Sequence, residues 1–118
     1  MRRIYLACPY SHTLAHVRTY RYGIATDVAG HLFAAGHAVF SPITHCHPIA
    51  ELHILPGNFA FWRAYDLSFV DLWATEMMVL TLPGWEESIG VQEEIRRAWE
   101  RGLPTRLLDH ATREFFHE

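Results

Sequence analysis

Two carboxylates, Asp66 and Glu94, fall on the inward side of segments that read as helices. From Met77 to Ala98 the chain runs Met-Met-Val-Leu-Thr-Leu, Pro-Gly-Trp-Glu-Glu, then Ser-Ile-Gly-Val-Gln-Glu-Glu-Ile-Arg-Arg-Ala, a strand, a turn and a helix. At about 100° per residue, Val91, Ile95 and Ala98 define the core face of that helix, and Glu94 lies roughly 65° from its centre. Glu93 points almost the opposite way, so Glu94 is the candidate catalytic group of the adjacent pair. One helix earlier, Trp62, Phe69 and Trp73 form an apolar stripe with Asp66 in its middle, and Asp71 is expected across the helix, in solvent. A carboxylate on an apolar stripe is costly unless it is hydrogen-bonded or faces a cavity. Burial is expected to raise the pKa of Asp66, and helix N-terminal amides to lower that of Glu94. Two carboxyls held in contrasting states suit a division into acid and nucleophile. Plainer roles exist for both: dipole compensation for Glu94, and a bond to an arginine or a backbone amide for Asp66. Ser88 is by default an N-cap, and with Gly90 it also opens a helix start to an anionic ligand.

Other candidates cluster where strands end. His45 and His47 follow the second strand and are candidate pocket residues. With Cys46 and His53 they look superficially like metal ligands, but they lack the i, i+4 helical spacing, and no CxxC accompanies them. No metal is expected. Cys8 ends the first strand, where packing is its simplest role; a catalytic thiol would need a base or cation beside it. Tyr10 and Ser11, just past Pro9, are placed to touch a ligand from the first strand–helix loop. Trp85 is placed to stack on a ligand or to cover the site. Arg18 and Arg21 share one helix face and are suited to receive a phosphate. The glycine-rich nucleotide fingerprints are absent.

The elements that must position these groups alternate. Arg3–Cys8 reads as a buried strand stopped by Pro9. A helix over 15–35 follows, with Val17, Ile24, Val28, Leu32 and Ala35 at helical spacing and Gly36 as its C-terminal cap. Ala38–Ser41 reads as a second strand, Thr44–Asn58 as a loop, Phe59–Trp73 as a helix and Met77–Leu82 as a strand. A helix over Ser88–Arg101 is capped by Gly102, and Thr105–Leu108 is a last short strand. The tail to Glu118 reads as one further helical turn or as partly ordered. Such alternation implies right-handed crossovers and a parallel sheet with helices on both faces. The expected fold is α/β, a flavodoxin-like three-layer α/β/α sandwich with a small parallel sheet, in a single domain spanning 1–118.

Composition narrows the function classes. The chain has 118 residues, half of them hydrophobic and 14% aromatic, which supports a packed core. Its formal net charge of −3 argues against a nucleic-acid polymer as partner. Two cysteines are too few for a disulfide scaffold, so a reduced, cytoplasmic setting is expected. The apolar run before Pro9 is too short for a signal peptide or a membrane span.

Three segments together resemble the nucleoside 2-deoxyribosyltransferase superfamily. They are Ile4-Tyr5-Leu6-Ala7 leading into Pro9-Tyr10-Ser11, then Asp66-Leu67, and Ser88-x-Gly90-Val91-x-x-Glu94. The superfamily includes transferases and 2′-deoxynucleoside 5′-monophosphate N-hydrolases, and small bacterial members are closest in style. The resemblance covers about Ile4 to Leu108, and the Ser-x-Gly-Val-x-x-Glu segment is its most specific part. It implies that Glu94 attacks the anomeric carbon and that Asp66 serves the leaving base, with no cofactor. It places Ser88 where the hydrolases hold a 5′-phosphate, with Tyr10 and Ser11 on the sugar or phosphate side. The hydrolases' Gly-Ser-x-Arg segment is replaced here by Cys8-Pro9-Tyr10-Ser11, which separates this chain from them at the phosphate side. The partner implied is a small nucleoside or nucleotide, and the assembly implied is a homodimer or higher oligomer, with the aromatic surface at Phe59, Phe61 and Trp62 suited to an interface. Hydrolysis is slightly favoured over transfer. A non-catalytic nucleotide-binding or regulatory module of the same fold is the alternative.

Overall fold

The computed structural model describes residues 1–110, and the reading of the tail falls outside them. Strands β1 (Arg3–Ala7), β2 (Ala38–Phe40), β3 (Glu76–Leu80) and β4 (Thr105–Leu108) form one parallel sheet in the order β2-β1-β3-β4. Registers include Tyr5 opposite Phe40, Ala7 opposite Val79, and Leu80 opposite Leu108. The two central strands are near-continuous apolar runs, as strands covered on both faces must be. Their side chains alternate between two cores. Ile4, Leu6, Cys8, Met78 and Leu80 pack under helix α1 (Ala15–Ala34) through Ala25, Val28, Ala29 and Leu32. Tyr5, Ala7, Met77 and Val79 pack against α3 (Phe59–Leu72) and α4 (Ile89–Glu100) through Leu67, Val70, Val91 and Ala98. This is the three-layer α/β/α arrangement that the alternation of elements predicts. Gly36 and Gly102 take positive φ at the ends of α1 and α4, as expected of C-terminal caps.

The loop expected over Thr44–Asn58 is largely a helix, α2 (Pro42–His53). Its start is well specified: the Ser41 side chain accepts from the Thr44 N–H at 3.2 Å, and Pro42 sits in the first turn, where its missing N–H costs nothing. Ile43, Cys46, His47 and Ala50 are buried at helical spacing. The stripe escapes a hydrophobicity reading because its members are small or polar and Pro48 interrupts it. The helix stops at Ile54 in the left-handed region, φ 54°, where the Leu55 N–H bonds back to the Ala50 carbonyl.

The face of α3 is also rotated from expectation. Asp66, Leu67 and Val70 are its buried residues. Trp62, Phe69 and Trp73 are half-buried beside them and form an aromatic ladder with Phe40 and Tyr65. Two ion pairs fix α3 against α4: Arg63 Nε with Glu93 Oε2 at 2.5 Å, and Arg97 with Asp71. Glu93 and Asp71, expected in solvent, are therefore half-buried bridging groups.

Candidate active site

The strand order reverses between β1 and β3, and the crevice beyond their C-terminal ends is where ligands bind open α/β sheets. A cavity of about 560 Å3 lies there. The β1–α1 loop contributes Cys8, Tyr10 and Ser11, α2 contributes Cys46 and His47, α3 contributes Trp62 and Asp66, and α4 with its cap contributes Ser88, Gly90 and Glu94. The sequence candidates Glu94, Asp66, Tyr10, Ser11, Ser88, Gly90 and His47 thus meet at one cavity.

Both carboxyls are inaccessible to bulk solvent, Asp66 at 5% exposure and Glu94 at 4%. Burial pushes the Asp66 carboxyl up to about 7. Glu94 is pushed up to about 8, by burial first and by the neighbouring Asp66 charge, against the opposing effect of its bond from Tyr5. The direction for Glu94 is opposite to the expectation from helix amides. Ser88 is the cap, so Glu94 stands in the second turn, and the dipole fades beyond the first. The free amide of Val91 is already taken by the Ser88 hydroxyl at 3.2 Å. Desolvation therefore prevails.

Tyr5 is the partner that sequence reading overlooked. Its ring is fully buried in β1, and its hydroxyl donates to Glu94 Oε2. A phenol inside an otherwise apolar central strand needs a polar partner, and that need was the available signal. Asp66 Oδ1 lies 4.0 Å from the Cys46 thiol. Burial lifts both cavity thiols, Cys8 and Cys46, to about 12, so neither is a nucleophile near neutrality.

Ser88 caps α4, as expected of a serine at a helix start. Gly90 has a steric reason to lack a side chain: a Cβ there would lie 2.9 Å from Phe59 Cδ1. Arg21, on α1, reaches across the cavity mouth and donates to the Ser11 carbonyl at 3.2 Å and to the Pro83 carbonyl at 3.0 Å.

Two candidates fall elsewhere. His45 is on the outward side of α2, stacked on Tyr65 and bonded to its hydroxyl at 3.1 Å, because helix formation turns it away from its neighbour His47. Trp85 packs on the core beneath α3 and α4 rather than lining the cavity. Among the described residues, no group of three or more His, Cys, Asp or Glu side chains is arranged to hold a metal ion, and no helix is long and apolar enough to cross a membrane.

No curated protein of described function matches the sequence. Among solved structures, the chain is similar to a 2-deoxyribosyltransferase from the psychrotolerant bacterium Bacillus psychrosaccharolyticus, described as a biocatalyst for synthesis of antiviral and antitumoral nucleosides. The two share 23% identity and a TM-score of 0.59, over 89% of this chain and 70% of that one. At that identity the likeness establishes the flavodoxin-like fold alone. The family model of DUF1937, a domain of unknown function, matches residues 2–110, and the chain belongs to that family.

Proposed function

We propose that this protein cleaves or transfers at the N-glycosidic bond of a deoxynucleoside, nucleoside or nucleotide, with Glu94 as nucleophile and Asp66 as acid. The observation that carries the reading is the opening of two buried carboxyls from different helices into one nucleoside-sized cavity. The likeness of fold to a 2-deoxyribosyltransferase supports it. With the pair's one proton on Asp66, the Glu94 carboxylate, held at Oε2 by Tyr5, attacks the anomeric carbon with its other oxygen. The carbon–nitrogen bond breaks and Asp66 gives its proton to the departing base. Water then adds to the glycosyl ester while Asp66, now a carboxylate, takes the proton, and Glu94 is released. Ser88 with the α4 N-terminus, Tyr10 and Ser11 hold the sugar or phosphate side. Hydrolysis is favoured over transfer because nothing in the cavity calls for a second base site. The reading needs no cofactor, places the protein in the cytoplasm, and has it assemble as a homo-oligomer through the aromatic face of α3, which sedimentation velocity would test.

The deciding experiment incubates the protein with deoxynucleosides and their 5′-monophosphates, with and without an acceptor base, and follows free base. Base release that disappears in Glu94→Ala and Glu94→Gln, with a glycosyl adduct on Glu94 by mass spectrometry, is the expected result. Ligand-induced stabilisation without turnover would replace the enzyme by a binding module of the same fold.

A further inference from the structure

His47 is a cavity-lining residue of α2, and its ring is held on two sides. It is 8% exposed, its ring stacks on Tyr22 with centroids 4.3 Å apart, and its Nδ1 lies 2.5 Å from the Tyr10 hydroxyl. The charge of the nearby Arg18 guanidinium favours release of the phenol proton and so strengthens the hydroxyl as a donor. The phenol, a stronger acid than a neutral imidazole N–H, donates to Nδ1, which leaves the imidazole proton on Nε2. Burial lowers the imidazole pKa, while the charges of Glu51 and Arg18 act on it in opposite directions. Nε2 bonds to no described residue and is not among the buried unpaired atoms, so it is open to a ligand.

We propose that His47 is a specificity-determining residue for the departing base, offering Nε2–H as a fixed hydrogen-bond donor to an acceptor atom on the base edge. The inference rests on the nucleoside reading of the cavity. Tyr10 acts as a positioning residue: from the cavity wall its hydroxyl selects the tautomer, and the Tyr22 ring sets the plane of the imidazole. A base with a ring nitrogen or carbonyl oxygen toward α2 gains one directed bond. A base presenting an amino group or C–H there meets two opposed hydrogens.

Equilibrium binding to Glu94→Gln protein, which lacks the attacking carboxylate, tests this with purine deoxynucleosides and their 3-deaza, 7-deaza and 6-deoxo analogues. His47→Leu should weaken the parent nucleoside about tenfold, the size of one directed hydrogen bond. That loss should vanish for the one analogue missing the contacted acceptor. His47→Gln, whose amide nitrogen can occupy the place of Nε2, should restore most of the affinity. Equal loss across all analogues, or unchanged binding in His47→Leu, overturns the assignment while leaving the nucleoside reading intact. Absence of both nucleoside binding and base release in the unmodified protein overturns both.

Discussion

A carboxyl that is buried without a cation beside it is a proton store, and Asp66 and Glu94 are two such stores opening into one space. Glu94 was legible from helical angle alone, because Val91, Ile95 and Ala98 leave no other place for it than the edge of the core. Its charge state is not legible there, since it depends on Tyr5, 89 positions away in sequence, and on a cavity that only the tertiary fold creates. The pair titrates with apparent values near 7 and 8, belonging to the two groups jointly. Turnover needs one proton on the pair, so kcat/KM should follow a bell-shaped pH profile with its maximum between those values. In Asp66→Asn the alkaline limb should vanish and the rate should fall by roughly 100-fold. A profile unchanged by that substitution would exclude Asp66 as the acid. The same shifts bear on folding. Both folded-state values are raised above those of free carboxyls, so the fold holds protons that the unfolded chain has lost. Their contribution is fully present at about pH 4 and is lost as pH rises through 7 to 8. Glu94→Gln should therefore raise Tm over the unmodified protein at pH 9 and much less at pH 4, measured by calorimetry at both.

The elements differ in how plainly the sequence encodes them, for physical reasons. β1 and β3 are short apolar runs, α4 is periodic and β4 follows Pro104, and the observed bounds of all four differ from expectation by no more than two residues. α2 was missed because its buried side is Ile43, Cys46, His47 and Ala50, and because Pro48 lies within it. The cost was specific: treated as a loop, this segment gave His45 and His47 equal standing, whereas a helix sends them in different directions. The relation between α3 and α4 was equally hidden, since Arg63–Glu93 and Arg97–Asp71 are long-range pairs. Gly90 of α4 stands directly against Phe59 of α3. In Gly90→Ala the new Cβ would press on the base of the Phe59 ring, with Cγ at 3.1 Å and Cβ at 3.4 Å, so the clash is not relieved at a flexible tip. Overpacking of this kind costs about 1–3 kcal/mol, and the alanine's helix preference returns at most ~1 kcal/mol. Net loss of stability by about 1 kcal/mol or more, seen as a lower denaturation midpoint, is expected. Displacement of Ser88 and Glu94 should accompany it, lowering turnover more than stability alone explains. A Gly90→Ala protein as stable and active as its parent would show that α4 can shift freely on α3.

At the scale of the whole molecule, the cavity exists because two loops from separate βα units meet at the switch point, and Arg21 is what ties them. From α1 it bonds the Ser11 carbonyl in the β1–α1 loop and the Pro83 carbonyl in the β3–α4 loop. Gly84, at φ 96°, leaves room for this: a Cβ there would lie 2.9 Å from Arg21 Nη2. One planar guanidinium thus spans two backbone acceptors, a task the single ammonium of lysine performs poorly. Replacement by methionine keeps the stem and deletes the donors. The two carbonyls are near solvent and can turn to water, so global stability should fall by only about 1 kcal/mol. The loops themselves should loosen. Amide exchange over 82–88 should accelerate by roughly tenfold, while exchange in β1 and β3 stays as in the parent. KM for the nucleoside should rise several-fold with a smaller change in kcat, because the carboxyls on α3 and α4 are held by other contacts. Arg21→Lys should behave like the methionine variant, since both lose the bridging fork. If lysine instead restores the parent exchange rates, charge rather than the two-carbonyl bridge holds the mouth of the cavity.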